Sequence, residues 1–186
     1  MQLAERADFE SVVQLVNDAY RGISKTPGWT NESALLTGPR VDVASLHSMT
    51  EEGGTLVLVT RDEISGAVSG CVALRPPEPD ASSGSSWYLS MLAVDPTVQK
   101  VGAGRAIMAN AEAYVRDAGG HTIRISVIQQ REALIEWYER GGYVRTGIVE
   151  PFPYDDPSVG TPLRDDLRLV ELKKHLESAT AASHSE

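Results

Sequence analysis

The sequence predicts one α/β domain built as a mixed sheet flanked by helices. Three observations carry that prediction. Stretches with helical apolar spacing alternate with strand-like apolar runs, no repeat or linker-like boundary divides the chain, and 186 residues can close one core without disulfide or metal staples.

A short first strand is read at Gln2 to Glu5. Asp8 is then a helix N-cap, and Phe9, Val12, Val13, Val16 and Tyr20 fall on one face of helix one. Gly22 to Arg40 is too apolar for a linker, with Trp29, Leu35 and Leu36, and too irregular for a helix. It is expected to be a loop, with at most a short helical turn, folded over a pocket. A second short helix runs from Asp42 to about Glu51 and is ended by Gly53-Gly54.

Thr55 to Thr60 and Ala67 to Arg75 predict an antiparallel hairpin, with 61–66 as its loop. Residues 76–86, low in complexity, predict a mobile surface loop. Trp87 to Val94 is a buried strand. Gly102 to Ala118 keeps helical spacing through Ala103, Ile107, Ala111, Tyr114 and Val115, and Gly119-Gly120 stops it. Ile123, Ile125 and Val127 alternate as a strand. Glu132 to Arg140 is a helix with Leu134, Trp137 and Tyr138 inward, Tyr143 to Ile148 another strand, and Asp166 to Leu172 the last. The domain is expected to span 1–174 and the tail, 175–186, to be frayed.

Composition excludes several function classes. Lys plus Arg number 17 against 26 Asp plus Glu, a net charge of −9, which argues against a nucleic-acid or anionic-membrane partner and suits an amine. The lone Cys71 allows no disulfide within the chain and sits in an apolar run, so a reducing, cytoplasmic setting is expected. The N-terminus lacks a long apolar core and no run approaches the ~20 residues that span a bilayer. His47, His121, His175 and His184 have no metal-ligand spacing, so no metal is expected. Ser83, Ser85 and Ser86 lack the Gly-x-Ser-x-Gly elbow of a nucleophile.

The chemistry-bearing segment is Gln99-Lys100-Val101-Gly102-Ala103-Gly104-Arg105, between a strand ending near Val94-Asp95-Pro96 and a helix starting near Gly102. The first N–H groups of a helix have no internal acceptor, and glycines let an anion approach the backbone, so a pyrophosphate fits such a junction. Lys100 and Arg105 add positive charge. Two familiar nucleotide motifs do not match: there is no Gly-x-x-x-x-Gly-Lys-Ser/Thr run, and Ile107 stands where the third glycine of Gly-x-Gly-x-x-Gly would be.

Leu89-Ser90-Met91-Leu92-Ala93-Val94-Asp95-Pro96 followed by Gln99-x-x-Gly102-x-Gly104-Arg105 resembles the acetyl-CoA-binding motif of the GCN5-related N-acetyltransferase (GNAT) superfamily. Trp137-Tyr138-Glu139-Arg140-Gly141-Gly142-Tyr143 resembles that family's Tyr-x-x-x-Gly-Tyr/Phe signature. The resemblance implies a largely antiparallel sheet of about seven strands with a splayed parallel pair at Trp87 to Val94 and Ile123 to Ile128, and about four helices.

It also implies a function. Acetyl-CoA would be co-substrate, with Leu92, Ala93 and Val94 along its pantetheine arm and Gln99, Lys100, Val101, Gly102, Ala103, Gly104 and Arg105 around its phosphates. A small-molecule or peptide amine would attack directly in a ternary complex. The Leu92 N–H would polarise the carbonyl and Tyr138 would protonate the departing sulfur, although Tyr138 shares a helical face with Leu134 and could simply fill the core. A homodimer lies within the family's range.

Two departures stand out. Arg131 occupies a position where many relatives have Asn, and Trp87 to Val94 holds no Asp or Glu to act as base. Glu32, Asp155 and Asp156 are loop candidates for that role, and an ordered water chain is another. Pro151 to Pro157, with Phe152 and Tyr154, reads either as a wall of the acceptor pocket opposite Trp29, where Asp155 would favour a cation, or as a rigid crossing packed on the sheet. The rival to an enzyme is a non-catalytic acyl-CoA-binding sensor or interaction domain.

Overall fold

In the computed structural model, residues 1–22, 30–78, 86–95 and 102–177 are described. Among them the strands are β1 (Gln2–Leu3), β2 (Leu36–Thr37), β3 (Leu56–Arg61), β4 (Val68–Arg75), β5 (Ser86–Val94), β6 (Thr122–Ile128), β7 (Val144–Pro151), β8 (Thr161–Pro162) and β9 (Arg168–His175). The helices are α1 (Phe9–Arg21), α2 (Val43–Glu51), α3 (Ala103–Asp117) and α4 (Glu132–Glu139). Seven strands among the described residues form one sheet in the order β1-β3-β4-β5-β6-β9-β7, and β2 pairs with β8 apart from it. Every neighbouring pair is antiparallel except β5 and β6.

Alternation of side chains along the strands sends two apolar sets to opposite faces of the sheet. Val57, Val59, Cys71, Ala73, Met91 and Ala93 pack with Phe9, Val12 and Val16 of α1 and Leu46 of α2. Leu58, Val72, Leu89, Leu92, Ile125 and Leu172 pack with Ile107, Met108 and Ala111 of α3 and Ile135 and Tyr138 of α4. Helices therefore cover both faces, and none is long and apolar enough to cross a membrane among the described residues.

Gly70 sets how closely α3 lies on β4. A Cβ there would stand 2.6 Å from the Ile107 Cδ1 and 2.6 Å from the Thr60 Oγ1, distances no methyl group tolerates.

Several element readings need correction. Asp8 holds the N-cap position of α1 at the end of a single 3-10 turn, but its carboxylate makes no capping bond to the helix and instead accepts from the Glu5 N–H at 3.0 Å and from Arg61 at 2.8 Å. Burial pushes this carboxyl up, but the Glu5 N–H and the Arg61 guanidinium outweigh it and hold it below the usual range. Asp42 does cap α2, accepting from the Ser45 N–H at 2.7 Å. In α4 Tyr138 is buried and Leu134 and Trp137 pack half-buried against the same core, as read, and Ile135, not singled out, is the most buried of the helix. β7 runs three residues further than Ile148, past a register shift between Arg145 and Val149.

The frayed tail expected from His175 starts too early, because His175 closes β9 and Leu176 is buried with its N–H donating to the His121 carbonyl at 2.8 Å. Residues 178–186, like 79–85 of the expected surface loop, lie outside the described residues.

Candidate functional site

The site begins with a defect in β5. Cys71 of β4 faces Ala93 and Ala73 faces Ser90, so Met91 and Leu92 together stand opposite Val72. This is a β-bulge, two residues against one. Met91 absorbs it at φ 51°, a left-handed conformation uncommon outside glycine. Two contacts brace it: the Tyr20 hydroxyl donates to the Leu92 carbonyl at 3.1 Å, and the Cys71 thiol to the Met91 carbonyl at 3.5 Å. Burial pushes that thiol up to about 12, so Cys71 is an inert part of the brace.

On its other side β5 leaves its partner. Parallel pairing with β6 runs from Ser86 opposite Thr122 to Tyr88 opposite Arg124 and stops there, although β5 continues to Val94 and β6 to Ile128. The two strands splay beyond that point. The Leu92, Ala93 and Val94 side chains are buried in the core, so only their backbone can address a molecule in the splay.

Beyond β5, α3 opens on Gly102 at φ 95°, where a Cβ would meet nothing within 4 Å. The first intrahelical bond is from the Ala106 N–H to the Gly102 carbonyl at 2.9 Å. The N–H groups of Ala103, Gly104 and Arg105 therefore have no acceptor inside the helix. Gln99, Lys100 and Val101 lie outside the described residues, as does Trp29.

A groove of about 210 Å³ separates α3 from α4, lined among others by Arg105 and Met108 on one side and Trp137, Tyr138 and Arg140 on the other. Helix start, splayed strand and groove together fit an elongated ligand with an anionic head and a narrow arm. Tyr138 is 6% exposed, edge-on to Trp137 at 5.0 Å and to Tyr143 at 5.7 Å between centroids. Burial raises its phenol above the ordinary value, Tyr20 adds to the rise, and the Arg131 guanidinium opposes it. Tyr138 thus keeps its proton across the neutral range while sitting beside a cation that favours its release. Its ring belongs to the core that α3 and α4 form on this face of the sheet.

Electrostatics tie further residues to this tyrosine. Glu32 and Tyr88 also act on Tyr138, both raising it. Glu32 accepts from Arg21 at 2.8 Å through one carboxylate oxygen and from Arg131 at 3.2 Å through the other. Arg21 is 4% and Arg131 9% exposed in their side chains. Arg21 also donates to the Gly38 carbonyl at 2.9 Å and the Val159 carbonyl at 3.1 Å. One arginine on the last turn of α1 therefore holds the 30–38 segment and the 157–162 segment together, where β2 and β8 pair.

Of the loop carboxylates, Glu32 reaches the site, but both its oxygens are engaged. Asp155 and Asp156 are exposed. Phe152 is buried against Leu36, Ile128 and Leu167, and the Leu167 N–H donates to the Tyr154 hydroxyl at 2.7 Å. The aromatic loop is anchored to the sheet end next to the splay. Tyr20, Arg21 and the Glu32–Arg131 pair were not singled out together from sequence. Tyr20, Glu32 and Arg131 were each named for other reasons, and Arg21, which shares Glu32 with Arg131, was missed.

The model of the acetyltransferase (GNAT) family matches residues 10–143. The chain belongs to that family. A mycothiol acetyltransferase of Cellulomonas flavigena is 31% identical over 112 residues, covering 58% of this chain and 32% of the relative. The match thus spans about a third of that relative. Among solved structures, a ribosomal-protein-alanine N-acetyltransferase from Brucella melitensis aligns with TM-score 0.68 and 24% identity over 94% of this chain and 98% of the other. A putative acetyltransferase from Salmonella typhimurium, solved with its cofactor acetyl-CoA, aligns with TM-score 0.64 and 20% identity over 99% and 97%. At these identities the structures establish the fold.

Proposed function

We propose that the chain, as a single domain, is an acetyl-CoA-dependent N-acetyltransferase acting on a primary amine of a small molecule or peptide by direct attack in a ternary complex. The observation that carries this reading is the splay after the Tyr88–Arg124 pair, with the bulge at Met91 on one strand and Tyr138 buried beside it. Bound along the groove, acetyl-CoA supplies an activated thioester carbonyl and a thiolate leaving group. The Ala103, Gly104 and Arg105 amides and the Arg105 guanidinium hold its phosphates, together with Gln99, Lys100 and Val101. Backbone groups of Leu92, Ala93 and Val94 align its arm.

The Leu92 N–H polarises the carbonyl oxygen, a donor fixed in advance by the bulge and therefore free of reorganisation cost during the reaction. A neutral amine forms the new C–N bond as the C–S bond breaks. The Tyr138 hydroxyl gives its proton to the sulfur, aided by the Arg131 charge. Proton acceptance by Glu32 would break one of its two ion pairs, so the amine loses its proton to water reached through the open side of the splay. Asp155 and Trp29 remain acceptor-side candidates through the loops that carry them.

Thiol release tests this. The protein with acetyl-CoA and a panel of amines is expected to liberate CoA at a rate that depends on the amine, and Tyr138→Phe is expected to lower kcat by about 10²-fold with the acetyl-CoA KM changed less than about threefold. Calorimetric binding of acetyl-CoA with no thiol release from any amine would instead mark a non-catalytic sensor. Equal kcat in Tyr138→Phe would remove the tyrosine from the chemistry.

A further inference from the structure

The face of the sheet opposite α3 and α4 is covered by α1 and α2 only across β3, β4 and the bulged end of β5. Next to them, over the paired starts of β5 and β6 and the end of β9, lies a concavity of about 720 Å³. Its lining includes Arg75, Tyr88, Arg124, Glu171, Lys173 and His175. Their side-by-side placement follows from register, since Tyr88 faces Arg124 across the parallel pair and Arg124 faces Lys173 across the antiparallel one.

The charges here run against the rest of the molecule. In a chain of net charge −9, this basin gathers three basic side chains, Arg75, Arg124 and Lys173. One carboxylate, Glu171, accepts from Arg124 at 2.9 Å. The Arg75 guanidinium lies over the Tyr88 ring at 5.2 Å. Lys173 has no carboxylate within ion-pair distance among the described residues, and the Arg124 Nε is buried without an acceptor among them. Glu78 at the rim is the second carboxylate of the lining, so the basin keeps an excess of positive charge.

The position of the basin gives that charge a use. Tyr88 and Arg124 are the last paired residues before β5 and β6 separate, so the basin ends where the splay begins. An acceptor entering the splay from the face away from the cofactor groove passes over it. We propose that this basin is the subsite for a carboxylate carried by the acceptor, held by Arg75, Arg124 and Lys173 while the acceptor's amine reaches the bulge at Leu92. The inference rests on the transferase reading above. Tyr88 stands opposite Arg75 and Leu92 opposite Val72, so across the bulge the two are three residues apart along β4, about 10 Å at ~3.3 Å per residue. The acceptor is therefore an extended amine with its carboxylate roughly that far from the nitrogen, the span of a short peptide with free ends. Guanidinium and ammonium groups bind such a carboxylate through charge-assisted hydrogen bonds, and their field draws it towards the splay.

The test uses tri-alanine, whose extended chain spans about 10 Å, and its C-terminal amide as acceptors. The free acid is expected to have a KM about tenfold below that of the amide, and the same order is expected in calorimetric dissociation constants measured with CoA present. In the Arg75→Gln/Lys173→Gln variant the ratio between acid and amide is expected to fall to about one. High salt is expected to shrink it as well, since the groups are partly exposed. Equal KM for acid and amide in the wild type, failure of tri-alanine where other amines react, or a variant that keeps the ratio would overturn the subsite and leave the transferase reading intact. No thiol release with any amine would overturn the transferase reading itself, and the calorimetric comparison would still decide whether the basin prefers the carboxylate.

Discussion

Gly70→Ala tests how α3 is seated, because the new methyl has nowhere to go. It would meet the Ile107 Cδ1 and the Thr60 Oγ1, each at 2.6 Å, and the Ala93 carbonyl at 3.3 Å. Two of these are ends of side chains, and the Thr60 hydroxyl, half-buried, can turn aside. Ile107 cannot, because it is 3% exposed and packed in the core beneath α3. The strain should therefore push α3 away from β4. Overpacking of this kind costs about 1–3 kcal/mol, a fall in Tm of roughly 2–12 °C for a domain of this size.

Ile107→Val removes the offending methyl at a cost of about 0.5–1.5 kcal/mol on its own. The double variant should therefore be more stable than the sum of the two losses predicts, by about 1 kcal/mol. Urea unfolding of the four proteins measures this coupling. Acetyl-CoA affinity, read by calorimetry, should weaken in Gly70→Ala and recover in the double variant, because Ile107 sits in the second turn of the helix whose start is proposed to hold the phosphates. Strict additivity of the two unfolding losses would refute the claim that this contact seats the helix.

Glu32→Gln should destabilise the chain by about 3–5 kcal/mol in urea unfolding, since it leaves the buried Arg21 and Arg131 guanidiniums without their shared counter-charge; a loss under 1 kcal/mol would mean the cluster is not a stabilising anchor. Stability should also fall at alkaline pH. Burial raises Cys71 to about 12 and lifts Tyr20, Tyr138 and Tyr143 above the ordinary phenol value. The folded state therefore holds these protons where the unfolded chain, with ordinary values near 8.5 for thiol and 10 for phenol, releases them. The contribution is complete below about pH 8.5 and is lost as pH rises towards the folded values, by up to about 1.4 kcal/mol per pH unit per group. Cys71→Ala should flatten the slope between about pH 8.5 and 10, before the tyrosines contribute. An unchanged slope in that variant would show that the thiol is not the group responsible.

Much of this molecule could be read from residue order alone, and the reasons are local. Apolar period marked α1, α3 and α4, the β3–β4 hairpin followed from two strand-like runs around a polar turn, and Asp42 announced its own helix by capping it. Gly102-x-Gly104 at a helix start and Tyr138 before Gly141-Gly142 are likewise short-range patterns, so the candidate cofactor and acid positions were legible with the family resemblance. What only the tertiary structure decided depends on distant segments meeting. The bulge at Met91 is a mismatch between two strands, invisible in either one. Asp8 takes the N-cap position of α1 as read, but Arg61, 53 residues away, claims its carboxylate. Arg131 looked like a departure from the family pattern, and proved to share Glu32, 99 residues earlier, with Arg21. The positive basin arises because register sets Tyr88, Arg124 and Lys173 side by side on three strands. Sequence fixes what each segment prefers, whereas charge pairing and strand register are settled only when the chain closes on itself.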